Sequence, residues 1–461
     1  MNDRATHGLP REVGNTLRLA GPIIASQLGQ VGMNTADTIQ VGPLGASALA
    51  AAGIGGAIHF FVLFIGIGVL VGMGPLVSQA FGAGRLADCR DVARQGLWLA
   101  LALSIPVATT MLFGREVALL FGQQPDVAAL AGAYMVALAP GVLPVMLFLA
   151  LRQYLEGMGH ARPSMVVSLA ALGLNVLLND VLIHGAGPVP ALGVVGSGYA
   201  TTIVRWFMFA ALLAYTVLHR GFDPVRGAPA RAWRIDRVRI GRIFRIGMPI
   251  GLQFGLEIGL FAFAAVMMGW FGPIEIAAHQ VTINIASATF MVALGTSMAG
   301  SIRVGQTIGA GEPAATRHAI VATYMLAVGF MAACALAFLL APVWLIGLYT
   351  HDPAILAVGR DLLMVAAAFQ VFDGGQVAGI SVLRGAGDTT VPMLLAAAGY
   401  WGIGMVCALG LGFGTALGPV GVWIGLCAGL AAVALTLLFR VRAVLWRRRP
   451  SALVEQPELG R

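Results

Sequence analysis

The stretch GLQFGLEIGLFAFAAVMM, Gly251 to Met268, decides the fold. With its flanks it is long enough to cross a bilayer, which takes ~20 apolar residues. Glu257 in its middle is the only charged side chain between Arg245 and Glu275. The whole chain has the same character. Of 461 residues, 58% are hydrophobic and 10% charged, where soluble domains run near a quarter charged. The chain is therefore expected to be an integral membrane protein, with the lipid bilayer as its first partner.

Twelve spans are expected, at about 17–41, 47–79, 92–113, 127–151, 163–184, 192–218, 244–270, 275–307, 318–341, 354–383, 391–412 and 419–439. The net charge of +8 does not imply nucleic acid, because the arginines gather in a few hydrophilic connections. Arg220, Arg226, Arg231, Arg234, Arg237, Arg239, Arg242 and Arg245 crowd one of them; Arg440, Arg442, Arg447, Arg448 and Arg449 crowd the tail. Assigning these to the cytoplasm also places the other basic loops inside, so both termini are expected to be cytoplasmic. The N-terminal MNDRATHGLPREVGN has no apolar core of a cleavable signal. Cys89, Cys334, Cys407 and Cys427 have no metal-type spacing, and the three in apolar segments read as packing residues. The chain has no Lys, so a GxxxxGK[ST] phosphate loop cannot exist in it, and no ATPase subunit is expected.

The sequence repeats. RLAGPI (18–23) matches RIGMPI (245–250), and SQAFGAG (78–84) matches GQTIGAG (305–311), both at an offset of 227. YLEGMG (154–159) parallels VLRGAG (382–387), and ALGVVG (191–196) parallels ALGPVG (416–421). Four matches in one order imply duplication. Each half has six spans, an even number, so the halves share an orientation. The expected fold is an all-α integral membrane protein with twelve transmembrane helices. They form two six-helix bundles related by a pseudo-two-fold axis along the membrane normal. The expected segments are a cytoplasmic N-terminal stretch 1–16, bundles 17–218 and 244–440, a basic linker 219–243 and a tail 441–461.

Three carboxylates stand isolated in apolar runs: Asp37, Glu257 and Asp373. An ionised group costs roughly 2.5–3.5 kcal/mol at a helix centre by insertion scales, and such residues are functional hypotheses by default. They can hold a proton or a cation and trade one for the other. Asn175 and Asn179, four apart, share a helix face, and Thr201 lies in the next span. Their oxygens suit a hard cation such as sodium, and interhelical hydrogen bonding is an equal reading of the asparagines. Arg205 reads as a structural partner of Asp180, with reach into a cavity as the other reading. Arg303 and Arg384 read as snorkelling at cytoplasmic ends. His59 and His279 read as hydrogen-bonded structural residues. GIGVLVG (66–72) reads as a small-residue packing face. Pro22 and Pro249, at equivalent places in the first and seventh spans, read as hinges.

These residues together resemble the multidrug and toxic compound extrusion (MATE) family, in its NorM-like branch. The resemblance spans roughly 15–440. It rests on RLAGPIIASQL with Asp37, on AAHQVTINIAS (277–287), IRVGQTIGAG (302–311) and LRGAGDT (383–389), and on the Asn175/Asn179 pair. It implies a secondary antiporter of the bacterial inner membrane, not an enzyme. Such a protein exports small organic, often cationic or aromatic, compounds in exchange for Na+ or H+ by alternating access. No cofactor is implied beyond the coupling ion, no metal beyond sodium at the coupling residues, and a monomer is expected. By the resemblance, Asp37, Asn175, Asn179 and Thr201 form a cation site in the N-terminal half, with Asn179 where some relatives carry Asp. Glu257 and Asp373 form the acidic pair of NorM-like members, serving coupling, substrate or both. Phe254, Phe261 and Met291 can add a soft wall for varied ligands, though packing explains each of them alone. A lipid-linked oligosaccharide flippase is the alternative, but it would want several deep cations, and here the deep charges are mostly acidic. HExxH and GxSxG motifs are not evident, and a channel has little need of two lobes with isolated carboxylates.

Overall fold

Every long apolar run is a helix in the computed structural model, which describes residues 8–219 and 230–447. Arg220, Arg226, Arg448 and Arg449, with the outer parts of the expected terminal segments, lie outside the described residues. In chain order the helices are α1 (Leu9–Val41), α2 (Ala46–Val71), α3 (Met73–Gly82), α4 (Leu86–Leu112), α5 (Gly114–Leu120), α6 (Pro125–Leu138), α7 (Val142–Gly157), α8 (Arg162–His184) and α9 (Val194–Leu218). There follow α10 (Arg237–Phe271), α11 (Pro273–Gly309), α12 (Pro313–Leu340), α13 (Pro342–Gly347), α14 (Pro353–Gly385), α15 (Thr390–Ala397), α16 (Met405–Phe413) and α17 (Gly418–Val441). A π-helical segment, Ala398–Gly404, joins α15 to α16. No strand occurs among the described residues; one isolated bridge pairs Ala186 with Val189.

Eleven helical stretches among the described residues are long and apolar enough to cross a membrane. They correspond to the expected spans two to twelve. The first, α1, is long enough at 33 residues. Gln27, Gln30, Asn34, Thr35, Asp37, Thr38 and Gln40 make it the polar exception. The short helices α5 and α13 were not expected. Each is too short for hydrophobic periodicity to register, at seven and six residues.

The duplication reappears as repeated helix ends. Gly84 (φ 74°) and Gly311 (φ 69°) both sit in the left-handed region that favours glycine. Beyond them Arg85 N–H donates to Ala80 O (2.9 Å) and Glu312 N–H to Thr307 O (3.1 Å). These are the same six-to-one closure of a helix C-terminus, at equivalent positions. Gly159 and Gly387 form the second such pair, with His160 N–H on Leu155 O and Asp388 N–H on Leu383 O, both 2.9 Å.

The chain forms two compact units. The N-terminal unit comprises Ala25–Phe81 and Arg85–Gly251; the C-terminal unit comprises Met1–Ile24, Gly82–Gly84 and Leu252–Arg461. Besides those that flank Gly82–Gly84, the passages between them fall inside α1 and α10, two residues after Pro22 and two after Pro249. Each proline removes the amide that would bond the carbonyl four residues earlier, Arg18 and Arg245 respectively.

Within the N-terminal unit, α2 meets the start of α10 through glycines. A Cβ on Gly68 would strike the backbone of Gly251, and one on Gly72 the backbone of Gly247. The 66–72 stretch is thus a close-packing face, as expected. In the C-terminal unit the core centres on Phe369, Tyr400 and Trp423, each at most 2% exposed. Phe261 joins this core edge-on to Phe369, with ring centroids 6.0 Å apart.

Candidate functional site

The N-terminal unit gathers four of the expected residues. Asp37 of α1 accepts from Asn175 Nδ2 (3.0 Å) and Asn179 Nδ2 (2.5 Å) of α8 at Oδ1, and from Thr201 Oγ1 (3.3 Å) of α9 at Oδ2. The two asparagines are buried side by side because four residues make about one helical turn. Asn179 Nδ2 also lies 3.5 Å from Asn175 Oδ1. As the amides are oriented, their donors face the carboxylate, while Asn179 Oδ1 is buried without a partner among the described residues. Asp37, Asn175, Thr201 and Arg205 line one cavity of about 110 Å³, with Phe60 and Met208 among its apolar walls. That volume holds several waters or a small ion and falls short of the ~300 Å³ at which drug-sized pockets begin.

Arg205 does not pair with Asp180, whose carboxylate meets His184 at 3.5 Å on an exposed part of α8. Its Nη2 instead lies 3.0 Å from His59 Nε2 on α2. An arginine can only donate, so Nε2 accepts and the histidine proton sits on Nδ1, 3.2 Å from Met111 Sδ. Sequence spacing gave no hint of this contact, which joins residues 146 positions apart.

The C-terminal unit places Glu257 on α10 and Asp373 on α14, where Asp373 is 4% exposed. The two carboxylates act on one another electrostatically, and Arg384 acts on Glu257. Among the described residues, neither carboxylate has a hydrogen bond or an ion pair within 4 Å. Arg384 is not a snorkelling residue. It is 6% exposed, its guanidinium lies over the Phe254 ring at 5.5 Å, and its Nε has no partner among the described residues. Burial against an aromatic face replaces water for this cation. Arg303 does not snorkel either. It grips Glu12 through two bonds, Nε–Oε1 2.7 Å and Nη2–Oε2 3.0 Å, and reaches Gln306 Oε1 at 2.8 Å.

Sequence reasoning missed the π-helical segment and what it carries. Tyr400 Oη donates to Gln376 Oε1 (2.5 Å), three residues after Asp373. Trp401 Nε1 donates to Leu256 O (3.2 Å), the residue before Glu257. Single π-helical turns often mark functional sites, and this one ties α10 and α14 around the acidic pair. Phe254 lies beneath Arg384, and Phe261 belongs to the core aromatic cluster. Met291 is part-buried in α11. His279 accepts from Trp423 Nε1 at 3.2 Å, a structural role as expected. Pro22 and Pro249 both lie within uninterrupted helices.

Comparison with known proteins bears on this arrangement. The MatE family model matches the chain twice, over residues 22–181 and 249–409, so each match begins at one of the two equivalent prolines. A probable multidrug resistance protein NorM of Bradyrhizobium diazoefficiens is 38% identical over 443 residues, 95% of each chain. A multidrug resistance protein NorM of Burkholderia vietnamiensis is 37% identical over 459 residues, covering 98% of this chain and 97% of that one. Among solved structures, a eukaryotic MATE transporter superposes with a TM-score of 0.86 at 21% identity, over 96% of this chain and 98% of that one. An outward-facing multidrug resistance MATE family transporter gives 0.85 at 23%, over 95% and 97%. The two solved structures share the helical membrane fold, and the double family match with near-full-length identity to NorM proteins places the chain itself: it belongs to the MatE family of membrane transporters.

Proposed function

We propose that this chain is a secondary active multidrug antiporter, exporting small organic cations in exchange for Na+ or H+ by alternating access. The observation that carries the reading is Asp373. A carboxylate 4% exposed, with no hydrogen bond among the described residues, is uncompensated as an anion. A proton, a sodium ion or a substrate cation each supply the compensation, and competition among them for one acidic pair gives exchange. The relatives named as multidrug resistance proteins agree with that reading. Asp37 with Asn175, Asn179 and Thr201 serves as a second coupling locus. Glu257 and Asp373 receive coupling ion or substrate, with Phe254, Phe261 and Met291 as apolar wall. Pro22 and Pro249 are the hinges. The six-helix halves 17–218 and 244–440, the cytoplasmic termini, the bacterial inner membrane and a monomeric state complete the proposal.

The test is reconstitution in liposomes, following export of a fluorescent organic cation under an imposed sodium gradient and then a pH gradient, for the wild type and Glu257→Gln. Transport under one gradient, lost in the variant, supports antiport and names the ion. Folded protein that transports under neither gradient sinks the reading. Unchanged transport by the variant removes Glu257 from it.

A further inference from the structure

Arg205 brings a fixed positive charge into the cavity that holds Asp37. Both residues line it, together with Asn175 and Thr201. Arg205 is not spent in neutralising Asp37, because no ion pair within 4 Å joins them among the described residues. One nitrogen, Nη2, is held by His59 at 3.0 Å, and Nη1 is buried without a partner among the described residues. The side chain is also wedged from α9 against the turn before α7. A Cβ on Gly141 would come within 3.1 Å of Arg205 Cδ and 2.9 Å of Thr202 Oγ1. The guanidinium therefore has little room to leave.

The groups that act on Asp37 in this unit are Asn175 and Asn179 from α8, Thr201 and Arg205 from α9, His59 from α2 behind Arg205, and Tyr134 from α6, which interacts electrostatically with both Asp37 and Arg205; Gln30 and Asn34 of its own helix line the same cavity. Asp180 is turned away toward His184. Three of these groups direct donors at the carboxylate, and Arg205 has only donors to offer. A sodium ion needs a shell of oxygens, as hard cations do. The carboxylate, the Thr201 hydroxyl and the asparagine amides can turn oxygens toward it, so the obstacle here is the trapped cation.

We infer that Arg205 keeps sodium from Asp37: held by His59 in the same cavity, it acts as a tethered cation that opposes a second cation there. The inference rests on the antiport reading and removes sodium as the coupling ion at one of its two loci. Arg205 is a specificity-determining residue rather than a ligand. Unit charges a few ångströms apart at an effective dielectric near 20 change an affinity on the order of 100-fold.

The experiment measures binding, not transport, on the full chain purified in detergent. Radiolabelled sodium is bound to protein carrying Glu257→Gln and Asp373→Asn, so that the other acidic pair contributes nothing. With Arg205 present, adding Asp37→Asn is expected to leave sodium binding unchanged. Arg205→Gln and Arg205→Met are expected to gain one sodium site, tighter by roughly 100-fold than any residual binding and abolished by Asp37→Asn. Arg205→Lys, which keeps the charge, is expected to behave as the parent. Asp37-dependent sodium binding with Arg205 in place overturns the inference, and so does a folded neutral variant that gains no site. If both neutral variants fail to fold while Arg205→Lys folds, Arg205 is a structural charge and the inference falls. Absence of drug export under both gradients would instead sink the antiport reading and leave the sodium result standing.

Discussion

The two units treat their buried carboxylates in opposite ways. Asp37 is embraced by three donors on two helices. Asp373 is more deeply buried, yet it and Glu257 have no donor at all among the described residues. Their surroundings are tied together instead by Tyr400–Gln376 and by Trp401 on the Leu256 carbonyl. One site is built into the structure as an anion; the other is an acidic pair left to be compensated from outside. The lesson is that similar sequence signals, a lone acid in an apolar span, cover a group that stabilises the fold and a group that strains it.

The largest expected effect tests the second half of that contrast. Glu257→Gln should cut export of an organic cation in liposomes on the order of 100-fold, the size of losing a buried charge partner, with thermal stability in detergent unchanged or raised. Export within twofold of wild type would remove the functional half of the comparison. Next comes a paired apolar substitution of similar branched shape. Asp37→Leu strands the buried Asn175 and Asn179 donors and should cost about 2–6 kcal/mol, at about 1–3 kcal/mol for each group. Asp373→Leu strands nothing and should be neutral or stabilising. Melting points in detergent would show it, and equal losses at the two positions would break the comparison. A smaller effect is expected for Tyr400→Phe. It leaves Gln376 Oε1 without its donor and should lower stability by about 1 kcal/mol, with Trp401 fluorescence reporting whether α10 stays in place. The smallest belongs to Thr201→Val. It deletes the longest of the three bonds to Asp37, 3.3 Å, and should cost only about 0.5 kcal/mol. A loss as large as that of Asp37→Leu would mean that the hydroxyl, not the amides, holds the carboxylate.

The spans were legible because lipid imposes a single demand, about twenty apolar residues, that local composition records. The polar α1 was counted as a span with the rest, and the repeat of its motif at 245–250 agrees with that. The Asp37 cluster was legible in part: helical periodicity puts Asn175 and Asn179 on one face, but nothing local says that Asp37, 138 residues away, faces them. Arginine placement was the main failure. Arg205, Arg303 and Arg384 were read by their nearness to span ends or to a nearby acid. Their partners are His59, Glu12 and Phe254, each more than a hundred positions distant. Long flexible side chains choose partners by tertiary proximity, which one-dimensional spacing does not encode. The π-helical segment escaped for a related reason, since AGYWGIG has the same apolar composition as the helix around it.

The passages between units inside α1 and α10 also set an order of assembly. Residues Arg85–Gly251 belong to the N-terminal unit, so that unit is unfinished when the sixth span, ending at Leu218, has left the ribosome. It waits for the glycines at 247 and 251 to arrive and close on α2. Conversely the first helical turns, with Glu12, are made at the outset and stay without Arg303 until some 290 further residues are synthesised. A gene cut in the basic connection would thus yield two fragments that each lack a piece carried by the other. Neither would be expected to mature alone, although the sequence repeat suggests two self-sufficient halves.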